Sequence, residues 1–335
     1  MSIMIDDLLR PSAFPEKPKK ILFVQTHIST VFIGDEFVYK IKKPVNFGFL
    51  DFSTLEKRAY YCNKEVTLNN RFSKGIYLGV YPVNFDGKKH VINGTGKIVD
   101  YAVKMKRLPD EALMKSRFKT GNVKSEYIKR IGAAIANFHM ISNQSKEIDE
   151  FGKIDSIRLN TDENFQQTAK FVGDSISKEQ YQNLKKWTDE FYKENQALFV
   201  QRIKNGKIRD CHGDLHMEHV CLTDPIIIFD CIEFNDRFRY IDTLSDIAFL
   251  LMDLEFNGGE SLSRELCEAY LASAGETDEN LVYPLINFYK VYRAYVRGKV
   301  NSLILKDINV PKDKKIEAKK TARKYFTLAY SYISK

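Results

Sequence analysis

A change of hydrophobic period near Pro109 constrains this chain more than any other feature. Before it, apolar residues come in short runs with two-residue alternation; beyond it they recur at three- and four-residue spacing. Residues 21–24, 30–33 and 36–41 predict strands, the last two joined through Gly34-Asp35 as a hairpin. Residues 54–72 space Leu55, Ala59, Cys62, Val66 and Leu68 as a helix does, behind a Ser53-Thr54 cap. Residues 77–83, 89–92 and 97–105 return to strand composition, with Asp86-Gly87 and Asn93-Gly94 as turns. Downstream, residues 127–140, 178–204, 244–254, 261–274 and 281–305 suit helices, and only residues 226–230 form a short buried strand. A length of 335 residues suits two lobes. The boundary is expected where the period changes, giving residues 1–107 and 108–335.

Composition narrows the class. Forty-four per cent apolar and 29% charged residues describe a folded globular chain. No apolar run reaches the roughly 18 residues of a membrane span. Residues 1–20 carry Asp6, Asp7 and two prolines, which is not the pattern of a secretory signal. Five cysteines, an odd number, predict a reducing cytoplasmic setting without a disulfide framework. The net charge is +8, but residues 311–335 alone hold eight Lys/Arg against two acids. Within that tail Ile316, Tyr325, Leu328 and Ala329 fall near helical spacing, so a solvated helix face is expected there and not a nucleic-acid arm.

Three of the six histidines lie in Cys211-His212-Gly213-Asp214-Leu215-His216-Met217-Glu218-His219-Val220-Cys221, followed by Asp230 and Cys231. A turn stitched by polar side chains is the plainest reading. Zinc is another, since imidazoles and thiols are its ligands, yet neither a Cys-x2-Cys pair nor a His-Glu-x-x-His motif is present. Phosphoryl transfer is the third, requiring a carboxylate for the attacking hydroxyl and, further along, a carboxylate for the metal at the triphosphate. This segment supplies them in that order. His212-Gly213-Asp214-Leu215-His216 and Ile228-Phe229-Asp230 resemble the catalytic loop and metal-binding strand of the aminoglycoside phosphotransferase family, in the protein-kinase-like superfamily that includes choline kinases.

The resemblance implies a two-lobed α+β fold: an N-lobe antiparallel sheet with one helix, and a mostly helical C-lobe. It implies that Asp214 is the catalytic aspartate, that His212 shapes its loop, and that Asp230 holds Mg²⁺ at the phosphates of ATP. Asp246, in Leu244-Ser245-Asp246-Ile247-Ala248, resembles the family's helix-opening acid that supports the loop. Where the family usually places a metal-binding Asn, this chain has His219, which suits Mn²⁺ better than Mg²⁺; Glu218 is a substitute ligand. Phe37-Val38-Tyr39-Lys40-Ile41-Lys42 resembles the kinase strand that carries the phosphate-anchoring lysine. Lys40 is the expected anchor and Lys42 the fallback, because both face one way on a strand. Glu65, in Lys64-Glu65-Val66-Thr67-Leu68, is the expected ion-pair partner. The family's glycine-rich phosphate loop is replaced by Gln25-Thr26-His27-Ile28-Ser29-Thr30, leaving the Ser29 and Thr30 hydroxyls as phosphate donors. Met105 to Leu108 correspond to the adenine-binding hinge. His139, in the segment resembling the central C-lobe helix, is read as a packed residue.

The implied reaction moves the ATP γ-phosphate to a hydroxyl of a small molecule, with neither a membrane nor nucleic acid as partner. Aminoglycosides are polycations that would want an acidic pocket, and only Asp236, Asp253 and Glu255 suggest one in this basic chain. Arg293, Arg297 and Lys299 form a basic stripe, read as a solvated face or a contact for an anionic substrate. A catalytically silent nucleotide-binding or interaction module is the rival from another class, suggested by His219 and the missing glycine loop.

Overall fold

The computed structural model describes residues 2–308 and 310–334. In chain order the helices and strands of the first third are α1 (Ser2–Leu8), β1 (Leu22–Gln25), β2 (Ser29–Ile33), β3 (Phe37–Lys42), α2 (Leu55–Asn69), β4 (Tyr77–Phe85), β5 (His90–Ile92) and β6 (Lys97–Lys106). Next come α3 (Met114–Lys119), α4 (Ser125–Ile141), α5 (Lys146–Asp149), α6 (Ile154–Thr168), α7 (Lys178–Glu194), α8 (Gln196–Lys204) and β7 (Ile208–Asp210). The remainder comprises β8 (Val220–Cys221), β9 (Ile227–Ile228), β10 (Tyr240–Asp242), α9 (Thr243–Phe256), α10 (Glu260–Ala274), α11 (Glu279–Ile304) and α12 (Lys312–Ile333). They form two compact units, Met1–Gly121 with Glu218–Asp236, and Asn122–Met217 with Arg237–Lys335.

The first unit is an antiparallel sheet of order β1-β2-β3-β6-β4-β5. Because side chains alternate along a strand, β3 divides its residues between the two faces. Tyr39 and Ile41 join Phe32, Val83 and Ala102 in a core closed by Leu8, Ala13 and Phe14. The N-terminal segment therefore covers that face, an addition to the single helix expected in this lobe. The opposite face packs Tyr77 and Val103 against Cys62 and Val66 of α2. Thr54 caps α2, its hydroxyl accepting from Lys57 N at 3.2 Å. The face of α2 that turns to the sheet buries Glu65 and Asn69 along with Cys62 and Leu68. Those two polar residues are where the packing carries chemistry.

The second unit is helical apart from β7 and β10, which pair with each other. Every residue of α9 from Thr243 to Leu254 is buried, so this helix is the axis of the unit. An apolar core gathers Phe249 and Met252 of α9, Val291 and Tyr295 of α11, and Tyr325, Phe326 and Ala329 of α12. α11 and α12 approach so closely at Gly298 that a Cβ there would lie 2.7 Å from the Phe326 ring. The basic tail is thus the helix α12, with Tyr325 and Ala329 buried and Ile316 exposed. The helix expected over residues 178–204 is broken at Asn195, whose backbone leaves the helical region between α7 and α8. α6 was not legible from periodicity because polar residues dominate it; it buries only Thr161, Asn164, Phe165 and Thr168. No helix among the described residues is long and apolar enough to cross a membrane.

Candidate functional site

In the first unit, β3 presents Lys40 and Lys42 on one face, and α2 lifts Glu65 against both. Glu65 divides its carboxylate: Oε1 lies 3.0 Å from Lys40 Nζ and Oε2 2.6 Å from Lys42 Nζ. Lys40 also donates to Asp230, and Lys42 to Glu233. Burial opposes the charge on Lys40, but Asp230, Glu65 and Glu233 outweigh it and raise its pKa well above the ordinary lysine value. Lys42 is raised for the same reason, by Glu233 and Glu65 against burial. Burial pushes the enclosed Glu233 carboxyl up, against the pull of Lys42.

Asp230 is held by its backbone. β8 and β9 form a two-residue ladder, and Phe229 N donates to His219 O at 3.0 Å. The chain then turns sharply: Asp230 has φ +63°, a left-handed conformation that costs a side-chain-bearing residue about 1 kcal/mol or more. Three contacts from α2 and its neighbours support the turn. Ser73 Oγ donates to Ile228 O, Asp230 N donates to Tyr77 Oη at 3.0 Å, and Cys231 N donates to Asn69 Oδ1 at 3.0 Å. The strand expected over residues 226–230 is shortened to β9 because of this turn. Asp230 keeps 35% of its side chain exposed, and His219 Nε2 lies 3.7 Å from its Oδ2. A carboxylate oxygen and an imidazole nitrogen at that separation are suited to one divalent cation. The cluster fits one in charge as well, since Lys40 and Lys42 face Glu65, Glu233 and Asp230, an excess of one negative charge.

The other residues expected at the phosphates are placed unevenly. Ser29 pairs with Lys42 across β2 and β3 and shares its face, and its buried Oγ has no hydrogen-bond partner among the described residues. Thr30 pairs with Ile41, so its side chain lies on the opposite face from Lys40. Met105 pairs with Val38 on the lysine face, and Leu108 lies half-buried just beyond β6.

In the second unit, Asp246 at the start of α9 organises the loop that carries Asp214. It is fully buried and accepts from His212 N and Gly213 N, both at 2.9 Å, with His139 Nε2 at 3.1 Å. Burial pushes its carboxyl up, yet the His139 hydrogen bond and the nearby charges of His139, His212 and Arg293 prevail and hold it at about 2. Gly213 adopts φ +85°, which glycine alone takes without strain. Asp214 N donates to His212 Nδ1 at 3.2 Å, so His212 shapes the turn from within. Asp214 itself is about one-third exposed, with His216 Nε2 at 3.5 Å. Met217 N donates to Asp253 Oδ2 at 3.0 Å, pinning the end of the loop to α9.

Two residues gain roles that periodicity did not reveal. Arg293 is buried and donates to Gly213 O at 3.0 Å and Ser245 O at 3.2 Å, bracing the loop. The expected solvated stripe is corrected accordingly: Arg297 lies over the Tyr325 ring at 5.7 Å, and burial pushes Lys299 down to about 8. His139 bonds Tyr270 Oη at 2.9 Å as well as Asp246, so it is a bridge within the core. Each acid named for an acidic pocket has a partner of its own. Asp253 holds Met217 N, Glu255 pairs with Lys290, and in the other unit Asp236 pairs with Lys64.

Of the thiols in the zinc reading, burial pushes Cys221 up to about 11. His139, Cys211 and Asp246 do bring donor atoms within 4.8 Å, but the histidine and the aspartate already satisfy each other. No disulfide is formed among the described residues.

A curled antiparallel sheet with its strand lysine paired to a helix glutamate, and a helical unit presenting a braced aspartate loop, are the parts of a kinase-like fold. Residues 89–281 match the model of the phosphotransferase enzyme family (APH), and the chain belongs to that family. Uncharacterized proteins of Mycobacterium tuberculosis and Mycobacterium bovis are 32% identical over 278 residues, which is 82% of this chain and 53% of theirs. The chain spans about half the length of those curated relatives. Among solved structures, a choline kinase from Cryptosporidium parvum covers 98% of this chain and 95% of its own, with TM-score 0.58 and 11% identity. An aminoglycoside 2′-phosphotransferase-IIIa in its GDP complex covers 98% and 99%, with TM-score 0.54 and 13% identity. At such identities the likeness is one of fold.

Proposed function

We propose that this phosphotransferase uses ATP and a divalent cation, Mg²⁺ or Mn²⁺, to transfer the γ-phosphate to a hydroxyl of a small molecule in the cytoplasm. The observation that carries the reading is Lys40, kept cationic and shared between Glu65 and Asp230. Neighbouring structures solved with GDP, or with AMP-PNP and Ca²⁺ in an amicoumacin kinase, support nucleotide use.

Lys40 would compensate charge on the phosphate oxygens, with Glu65 fixing its direction. Asp230 and His219 would hold the cation, which when bound supplies charge neutralisation at the triphosphate. Asp214 would orient the acceptor hydroxyl and accept its proton, a modest contribution beside positioning. His212, Asp246 and Arg293 keep the Asp214 loop in shape. The backbone from Met105 to Leu108 would meet the base, whereas Ser29, paired with Lys42 and as deeply buried, stands back from the phosphates.

His219 favours a second reading, a nucleotide-binding module with little turnover, because nitrogen is a poor Mg²⁺ ligand. Radiolabelled ATP separates the two. Metal-dependent transfer or slow hydrolysis that disappears in Asp214→Asn supports the enzyme. Nucleotide binding without turnover across a broad panel of hydroxyl compounds, with either metal, refutes it.

A further inference from the structure

The pair formed by Lys42 and Glu233 is not explained by the phosphate-anchoring role of Lys40. Lys42 is 1% exposed and lies 4.9 Å from the centre of the Phe52 ring; Glu233 is 4% exposed. Neither can reach a ligand, and isolating two such charges from water is costly unless they hold each other. Their placement shows what they hold. Lys40 and Lys42 are two residues apart on one face of β3, about 6–7 Å along the strand. Asp230 and Glu233 lie three residues apart on the segment that meets it. The segment is therefore tied to β3 by two rungs, Lys40 to Asp230 and Lys42 to Glu233.

The rungs differ in exposure. Lys40 is 12% and Asp230 35% exposed at the side chain, so phosphate and metal can compete for that pair; the Lys42 pair is sealed. Lys42 also takes Glu65 Oε2, so that only Oε1 meets Lys40 and Lys40 is not chelated by the whole carboxylate. We propose that Lys42 and Glu233 are positioning residues: a standing rung that keeps Asp230 in register on β3 when Lys40 and Asp230 exchange each other for phosphate and metal. The inference rests on the nucleotide-binding reading above and extends it to residues that touch neither nucleotide nor cation.

The test is the affinity of a fluorescent ATP analogue for the full chain, measured with and without Mn²⁺, beside the melting temperature. Removing Lys42 would strand Glu65 and Glu233 together, whereas Lys42 stays paired with Glu65 when Glu233 alone is lost, so the informative variant is Glu233→Leu. The expected result is a folded variant in which the gain in affinity from Mn²⁺ falls about 10- to 100-fold, the range seen when residues orienting a metal ligand are lost. Lys42→Arg, which keeps the pair, should retain most of that gain. A folded Glu233→Leu variant whose Mn²⁺ gain equals that of the unaltered chain overturns the inference, whatever its melting temperature. Absence of nucleotide binding by the unaltered chain itself would instead overturn the proposed function, and the two failures are distinguished by that control.

Discussion

Replacing Asp246 with Asn keeps the shape of the side chain and removes its charge, and the consequence can be worked from its surroundings. The carboxylate accepts two backbone N–H groups and His139 while fully buried. Its pKa falls from an ordinary 3.8 to about 2 on folding, which corresponds to about 2 kcal/mol of stability. Because the folded value is the lower one, that contribution is complete above about pH 4 and is lost as pH falls toward 2. Asparagine also turns an NH₂ group toward a donor that needs an acceptor, adding about 1–3 kcal/mol for an unsatisfied buried group. The expected loss at pH 7 is about 3–5 kcal/mol, a fall in melting temperature on the order of 10 °C for a domain of this size. Thermal and urea unfolding of both proteins between pH 7 and 2 supply the assay. The difference between them should shrink below pH 4 as the unaltered carboxylate protonates. A loss under about 1 kcal/mol at pH 7, or a difference that grows on acidification, would refute the assignment of Asp246 as the ionised brace of the loop.

Other consequences can be measured independently. Lys40→Met should lower kcat/KM for phosphate transfer on the order of 10²–10³-fold and also lower the melting temperature, since Lys42 alone would then face the buried carboxylates of Glu65 and Glu233; steady-state kinetics and a thermal melt check both halves. Asp214→Asn should reduce kcat by about 10²–10⁴-fold while stability stays within about 1 kcal/mol, because the side chain is one-third exposed. His219→Asn should raise the ratio of activity with Mg²⁺ to that with Mn²⁺, read from kcat/KM in each metal; an unchanged ratio argues against His219 as a ligand. Gly298→Ala, which presses a methyl toward the Phe326 ring, should cost about 1–3 kcal/mol in unfolding experiments without altering nucleotide affinity.

The period change near Pro109, most strands of the sheet, and helices α2, α4 and α10 to α12 were legible because each segment buries one regular face, and α9 because its apolar residues run almost without a break. Motif order likewise pointed to Lys40, Glu65, Asp214 and Asp230. The sequence could not choose between Lys40 and Lys42, as alternation places both on one face of β3. It was silent on Glu233, which lies in no periodic segment, and misleading on Arg293, since an arginine on a helix ordinarily reads as solvated. Those questions depend on residues far apart in the chain. Glu65 divides its oxygens between two lysines, Glu233 closes over Lys42, and Gly213 O meets Arg293 only once the chain has folded. Local pattern determines which face of an element leaves water; which charge meets which within the interior is decided by tertiary packing, where desolvation makes each such meeting obligatory.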